Sequence, residues 1–228
     1  MLRPQVTPTR EMISLDGLWD FKIDKEGVGR DQKWMDRPLP DAQTMAVPAS
    51  FNDLMTNAED QDFHGDVWYQ RTARVPIGWD GSTISVYFSS ATHKAQVWVN
   101  RTEVGTHEGG YLPFELDLTG VVEAGEEFQI TVCLNNELTF QTIPPGGKKD
   151  GKQRYFHDFF NYSGIARPLK LLSVPKVRLV STTVLTDFEG TTGKIEADFV
   201  VAGGDDKEIT IKVSLLDEDG TEITSGTA

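Results

Sequence analysis

Residues 155–162 combine aromatic rings with polar side chains in a pattern that could bind a sugar. Five of the eight are aromatic, and His157, Asp158 and Asn161 stand between the rings. A sugar ring is apolar on its C–H faces and polar at its rim, and ligand pockets pair apolar walls with a few placed polar groups. Alternatively, the rings could form an aromatic plug that closes the end of a sandwich core, with Asp158 capping a turn. The residues by themselves leave both interpretations open.

The composition narrows the possible partners and the compartment. The formal net charge of −13 over 228 residues argues against nucleic acid and anionic membrane surfaces as partners. No apolar run approaches the roughly 20 residues of a membrane-spanning helix. The start of the chain has no apolar signal-peptide core. We therefore expect a cytoplasmic protein, with secretion left open.

Neither a metal site nor a cofactor is expected. No two histidines have the spacing of metal ligands. The single cysteine, Cys133, lies in an alternating apolar run and cannot form an internal disulfide. We interpret Cys133 as a small buried hydrophobic residue and not as a nucleophile.

The chain as a whole has an all-β pattern. Short runs of β-branched, aromatic and alternating residues recur between Gly-, Asn- and Asp-containing turns. In the run 96–100, a period of two places Val97 and Val99 on one face and Trp98 on the other. Both faces of that strand are therefore predicted to be covered.

A domain boundary is predicted near Pro175. Aromatic residues are dense before it, and only Phe188 and Phe199 follow it. The tail contains predicted strands at 177–180, 194–200 and 208–213, a pattern typical of an immunoglobulin-like sandwich. Such a sandwich needs about seven strands. We therefore divide the chain into 1–174 and 175–228, and expect it to be the first piece of a longer protein.

Seven short strings of the chain together carry a resemblance to a known family. They are Leu15–Trp19, Val47–Asn52, Val67–Arg71, Val97–Asn100, Gly109–Phe114, Asn135–Leu138 and Phe156–Tyr162. The strings occur in the same order in the β-glucuronidases of the family 2 glycoside hydrolases. The chain resembles the amino-terminal part of these enzymes densely up to Leu172 and more weakly beyond Pro175.

The resemblance implies a fold and an activity. Residues 1–174 would form a jelly-roll sugar-binding sandwich, and 175–228 the first part of an immunoglobulin-like sandwich. The catalytic (β/α)₈ barrel would lie outside this chain. The implied reaction is retaining hydrolysis of β-D-glucuronides, with both catalytic glutamates on the barrel, so no catalytic residue is assigned here. The implied partners are a glucuronide substrate, the rest of the polypeptide and further copies in a homo-oligomer, by resemblance a tetramer.

The resemblance also implies a role for the aromatic stretch. The aspartate that matches Asp158 reaches the barrel's active site and binds hydroxyls of the glucuronic acid ring. His157 is a weaker candidate for substrate binding, because it could orient Asp158 or simply pack. Two other classes stay open: a stand-alone carbohydrate-binding jelly-roll module, which needs no catalytic carboxylates, and a structural or adhesion pair of sandwiches without a ligand.

Overall fold

The structure is a computed structural model that describes residues 4–204 and 208–228. It divides into two compact units, one ending at Pro175 and the other beginning at Lys176. Strands account for most of the regular structure in both units, which confirms the predicted all-β class. No helix within the described residues is long and apolar enough to cross a membrane.

The first unit contains twelve strands in its described part and a few short helical segments. The strands are β1 (Glu11–Ser14), β2 (Gly17–Ile23), β3 (Gln43–Val47), β4 (Asp66–Arg74), β5 (Thr83–Phe88), β6 (Lys94–Val99), β7 (Thr102–Glu108), β8 (Phe114–Asp117), β9 (Glu127–Asn135), β10 (Gly146–Lys149), β11 (Lys152–Tyr155) and β12 (Leu169–Val174). The helical segments are α1 (Phe51–Leu54), α2 (Ala58–Gln61) and two 3-10 turns at Trp34–Asp36 and Ile77–Trp79.

Two antiparallel sheets form the sandwich of the first unit. One has six strands in the order β3-β2-β4-β9-β6-β7, and the other has four in the order β1-β12-β5-β8. Strands β10 and β11 form a separate hairpin. Asn135, at the end of β9, pairs with Asp66 at the start of β4 and with Lys94 at the start of β6. These three strand ends therefore lie together at one edge of the sandwich. That edge positions the candidate site.

Alternation along the strands places apolar side chains on both faces of the six-stranded sheet. Val97 and Val99 belong to the main core between the sheets, whereas Trp98 belongs to a second cluster. All three are buried, as the sequence predicts. Cys133 is also buried in the second cluster, which confirms its interpretation as a small hydrophobic residue.

The second cluster contains three tryptophans, one of which, Trp34, belongs to the segment that precedes β3. Trp68 stacks on Trp98 with ring centroids 5.5 Å apart, and Trp34 meets Trp68 edge-on at 5.7 Å. The Asp24 carboxylate accepts hydrogen bonds from the backbone N–H groups of Val28 and Gly29. A Cβ at position 29 would lie 2.6 Å from Trp68 Nε1, so only glycine fits there.

The described part of the second unit, residues 176–204 and 208–228, consists of two antiparallel hairpins. Strands β13 (Arg178–Glu189) and β14 (Thr192–Ala202) form one, and β15 (Lys212–Leu216) and β16 (Glu222–Thr227) form the other. The first two predicted tail strands overlap β13 and β14. The third begins at Lys212 and not at 208, so its predicted start is wrong. Membership of an immunoglobulin-like sandwich stays a prediction.

Candidate functional site

The aromatic segment, residues 155–162, begins at the end of β11 and leads back toward β12. Its rings contact one another in a chain: Tyr155 lies 5.3 Å from His157, which stacks on Phe159 at 4.0 Å. Phe160 continues the chain to Tyr162 at 5.1 Å. The rings stand apart from the main core cluster, and Phe159 is 52% exposed. The alternative of a plug that closes the core is therefore wrong.

Asp158 lies at the outer part of this segment with its side chain exposed. Across residues 4–204 and 208–228, its carboxylate has no hydrogen bond or ion pair. The suggestion that Asp158 caps a turn is therefore wrong, because a cap requires a bond from its oxygens to a backbone N–H. A carboxylate without a partner is available to accept hydrogen bonds from a ligand.

His157 is held by rings and not by hydrogen bonds. It is half-buried between Tyr155 and Phe159. Its ring nitrogens are shielded, and neither finds a hydrogen-bond partner among the described residues. His157 therefore does not hydrogen-bond to the neighbouring Asp158, and its contribution here is to the stack of rings.

The end of the aromatic segment is fixed by a buried amide, that of Asn161. Its Oδ1 lies 2.7 Å from His93 Nε2, and its Nδ2 donates to the Asn136 carbonyl at 3.0 Å. Because Nδ2 points at a carbonyl, Oδ1 is the acceptor and His93 Nε2 carries the proton. Burial lowers the pKa of His93, although the bond to Asn161 acts in the opposite direction.

The partners of Asn161 are themselves fixed. The Asn136 side chain donates to the Phe63 carbonyl at 2.9 Å and accepts from the Gly65 N–H at 2.9 Å. The backbone N–H of Ser163 donates to Asn52 Oδ1 at 2.9 Å. These bonds join α1, the segments that precede β4 and β6, and the end of β9. The result is one buried polar network beneath the aromatic segment.

Sequence reasoning did not find this network. Asn52 and Asn136 occur in the strings that carry the family resemblance, and His93 stands just before β6, but no spacing rule connects them. Gly164 follows with φ +121°, and a Cβ there would lie 2.7 Å from Tyr69 Oη. A glycine next to clustered Asn and Ser residues was the available signal that the chain passes close to the sheet.

A shallow groove adjoins the outer side of the segment. It has a volume of about 210 Å³ and is lined by Asn52, Asp53, Gln61, Phe160 and Tyr162. A larger cleft of about 560 Å³ lies over β6, β7 and β9. Its charges are paired, Arg30 with Asp66 and Lys94 with Glu108. The groove, and not the cleft, is continuous with the aromatic segment.

The acidic residues near β7 and β8 have local structural roles. The Ser85 hydroxyl donates to Glu115 at 2.6 Å, and Asp117 accepts from the Thr119 N–H at 2.8 Å. Glu108 pairs with Lys94. No group of three or more His, Cys, Asp or Glu side chains in the described parts of the chain could hold a metal ion.

The β10–β11 hairpin carries the basic residues next to the aromatic segment. Lys148 pairs with Glu137, and the Arg154 guanidinium lies 5.5 Å from the Phe156 ring centroid. Lys149 and Lys152 are exposed near the tip. The basic side chains at the tip of the hairpin therefore face solvent.

Comparison with known proteins assigns the family. The protein family described as "Glycosyl hydrolases family 2, sugar binding domain" matches this chain over residues 12–175. The chain belongs to glycosyl hydrolase family 2. The resemblance found in the sequence is thereby confirmed, and the two-sheet sandwich is the sugar-binding domain of this family.

Similar proteins within family 2 are β-glucuronidases. The chain is 43% identical to a β-glucuronidase from Paenibacillus borealis, over 99% of this chain and 39% of that protein. It is 35% identical to that of Homo sapiens, over 100% of this chain and 38% of that protein. The chain thus spans 38–39% of the length of these two relatives.

Solved structures show the same likeness. A β-glucuronidase from an uncultured Clostridium sp. matches with a TM-score of 0.89 and 35% identity, over 99% of this chain and 39% of that one. The Ruminococcus gnavus β-glucuronidase in complex with D-glucuronic acid matches with a TM-score of 0.88 and 33% identity, over 100% of this chain and 40% of that one.

Proposed function

We propose that this chain is the amino-terminal part of a retaining β-glucuronidase that hydrolyses β-D-glucuronides. The observation that supports this most strongly is that the likeness to β-glucuronidases extends over 99% of this chain at 43% identity. Retaining glycosidases use two carboxyl groups about 5–5.5 Å apart. In the proposed function, the rest of the polypeptide supplies both carboxyl groups. This chain supports the domain that carries them.

The specific contribution of this chain is a substrate contact by Asp158. Its carboxylate is exposed and unpaired among the described residues, yet it stands on a segment whose end is tied to the sandwich by Asn161. A carboxylate can accept hydrogen bonds from two sugar hydroxyls, and charge-assisted bonds of this type are the strong ones. His157 takes the lesser part of holding the aromatic segment through its stack with Phe159.

The rest of the polypeptide is the proposed partner of the aromatic segment. Phe156, Phe159 and Tyr162 are each about half exposed at one edge of the sandwich. Apolar surface of this kind is typical of an interface. The substrate is an anion, whereas this chain carries a net charge of −13. Basic groups that bind the sugar carboxylate are therefore assigned to the partner domain. Assembly into a homo-oligomer stays a prediction.

The test is the Asp158→Asn substitution in the full-length polypeptide that contains this chain. The change keeps the shape of the side chain, removes its charge and replaces one acceptor by a donor. A lost hydrogen bond to a charged group costs about 1.5–3 kcal/mol. We expect kcat/KM for a chromogenic glucuronide to fall roughly ten- to a hundred-fold, with little change in the thermal unfolding midpoint.

Asp150→Asn is the matched control. Asp150 is exposed at the tip of the neighbouring β10–β11 hairpin, so this variant makes the same charge change outside the aromatic segment. Its kinetics should equal those of the wild type. Unaltered kcat/KM in Asp158→Asn would refute the substrate contact, and equal losses in both variants would indicate a general electrostatic effect.

A further inference from the structure

The part of the aromatic segment that carries Asp158 has few bonds of its own. Among the described residues, none of 156–159 hydrogen-bonds to the sandwich. Its beginning is attached through Tyr155, whose hydroxyl lies 3.3 Å from His64 Nε2. Its end is attached through Asn161, three residues after Asp158. The position of the carboxylate therefore depends on the stacked rings and on these two attachments.

The attachment at Asn161 is the more restrictive of the two. Asn161 is 2% exposed and His93 is 1% exposed, whereas Tyr155 is only half-buried. The amide uses its acceptor toward His93 and its donor toward the Asn136 carbonyl. The Asn136 side chain has two further bonds. His93 is held by its backbone bonds to Asn135 and Gly109, whereas its Nδ1 has no partner among the described residues. The amide therefore has one orientation and one location.

We propose that Asn161 is a positioning residue, which with His93 anchors the segment so that Asp158 meets the glucuronide in one orientation. Only a side chain with a donor and an acceptor on one planar group can satisfy His93 and the Asn136 carbonyl together. Removing it leaves both of these buried groups without partners, which costs more than the lost bonds alone. The aromatic segment would then move away from its position, so that these two groups could hydrogen-bond to water. This inference rests on the proposed substrate contact of Asp158.

The first test is kinetic and uses the full-length polypeptide. Asn161→Ala should lower kcat/KM about tenfold, mainly through KM, because only a fraction of molecules then present the carboxylate correctly. In a background that already contains Asp158→Asn, the same change should lower kcat/KM less than about twofold, since residues that act through one another are not additive.

The outcomes separate the two proposals. Wild-type kinetics in Asp158→Asn would refute the proposed substrate contact on which this inference rests, and would leave the proposed hydrolysis itself standing. A clear loss in Asp158→Asn with unchanged kinetics in Asn161→Ala would overturn only the positioning role. Full additivity of the two losses would also overturn it, because Asn161 would then act by a route that does not include Asp158.

The second test measures the segment directly in the 228-residue chain. Limited digestion with chymotrypsin, followed by mass spectrometry, reports cleavage after Phe159 and Phe160. Asn161→Ala should raise the cleavage rate at these sites several-fold over the wild type. Equal cleavage rates would contradict the anchoring role, whatever the kinetics show.

Control variants cover the case in which Asn161→Ala does not fold. His93→Leu and His93→Gln have similar size, but only Gln can donate to Asn161 Oδ1. Gln should therefore preserve kcat/KM better than Leu, and equal losses would overturn the proposal. Asn100→Ala removes an exposed side-chain amide bond elsewhere, in which Oδ1 accepts from the Gln129 N–H at 3.0 Å. It should lower stability without changing the kinetics or the cleavage at Phe159.

Discussion

At the scale of single residues, the site divides its polar groups into two kinds. The buried members, Asn161, Asn136 and His93, have bonds among themselves and to the backbone, although His93 Nδ1 has no partner among the described residues. Buried polar groups require such partners because water cannot replace them. Asp158 is exposed, so it can remain without a protein partner. Within four residues, the segment thus combines a buried side chain that fixes its position, Asn161, with an exposed carboxylate that can bind a ligand, Asp158.

His93 gives this network a dependence on pH. Burial lowers its pKa, and the interaction with His157 acts in the same direction, against the bond to Asn161. Burial also lowers the pKa of His64 at the other attachment. Below the ordinary histidine pKa of about 6.5, the unfolded chain therefore binds more protons than the folded one. The stability that neutral histidines contribute is complete above that pH and is lost as the pH falls below it.

We accordingly expect the 228-residue chain to unfold at a lower temperature at pH 5.5 than at pH 7.5. Ordinary carboxylates, with pKa values of about 4, stay ionised over most of this range. His93→Gln should reduce the difference, because Gln keeps a donor for Asn161 and does not titrate. Thermal unfolding followed by circular dichroism provides the measurement. An identical pH dependence in wild type and variant would contradict the assignment to His93.

At the scale of elements, the two units differ in how their strands are supported. In the first unit, β6 lies inside a six-stranded sheet with both faces covered. In the second unit, β15 pairs with β16 alone among the strands of residues 176–204 and 208–228, and its side chains are exposed. An isolated two-stranded hairpin is marginally stable in water. The hydrogen bonds of β15 should therefore open far more often than those of β6.

Hydrogen exchange tests this difference. Backbone amides of β6 should open only in rare, large-scale unfolding, whereas those of β15 should exchange by local opening at much lower cost. We expect β6 to be protected at least about a hundredfold more strongly than β15 in the monomeric 228-residue chain. Protection of β15 as strong as that of β6 would mean that the second unit is stable by itself.

At the scale of the whole molecule, the proposed enzyme activity depends on groups outside this chain. The acidic side chains Glu108, Glu115 and Asp117 each have a local partner. A retaining glycosidase requires two carboxyl groups about 5–5.5 Å apart, and in the proposed function both come from the rest of the polypeptide. The sandwich of this chain supplies a scaffold and a proposed substrate contact.

The pure 228-residue chain should therefore not hydrolyse a chromogenic glucuronide. The full-length polypeptide, assayed at the same molar concentration, is the positive control. Turnover by the chain above the buffer rate, in material shown by intact mass to contain no longer protein, would contradict the proposed division of roles. Absence of turnover in both samples would count against the activity itself.

The sequence by itself determined the all-β class, the family and the buried state of particular residues. Alternation is a local property with a period of two, so the burial of Val97, Trp98 and Val99 follows from their order. The family resemblance needed only short strings in sequence. The position of Asp158 among aromatic residues was equally visible.

The tertiary structure decided which residues meet. His93 and Asn161 are 68 positions apart and are joined only because β9 lies between β4 and β6, with its end at the same edge as the aromatic segment. Likewise, the rings of 155–162 stand outside the core and Asp158 caps no turn, although their types permitted both. Local patterns fix which face of a strand is buried. Strand order fixes which polar groups come within hydrogen-bonding distance, and no local pattern contains that information.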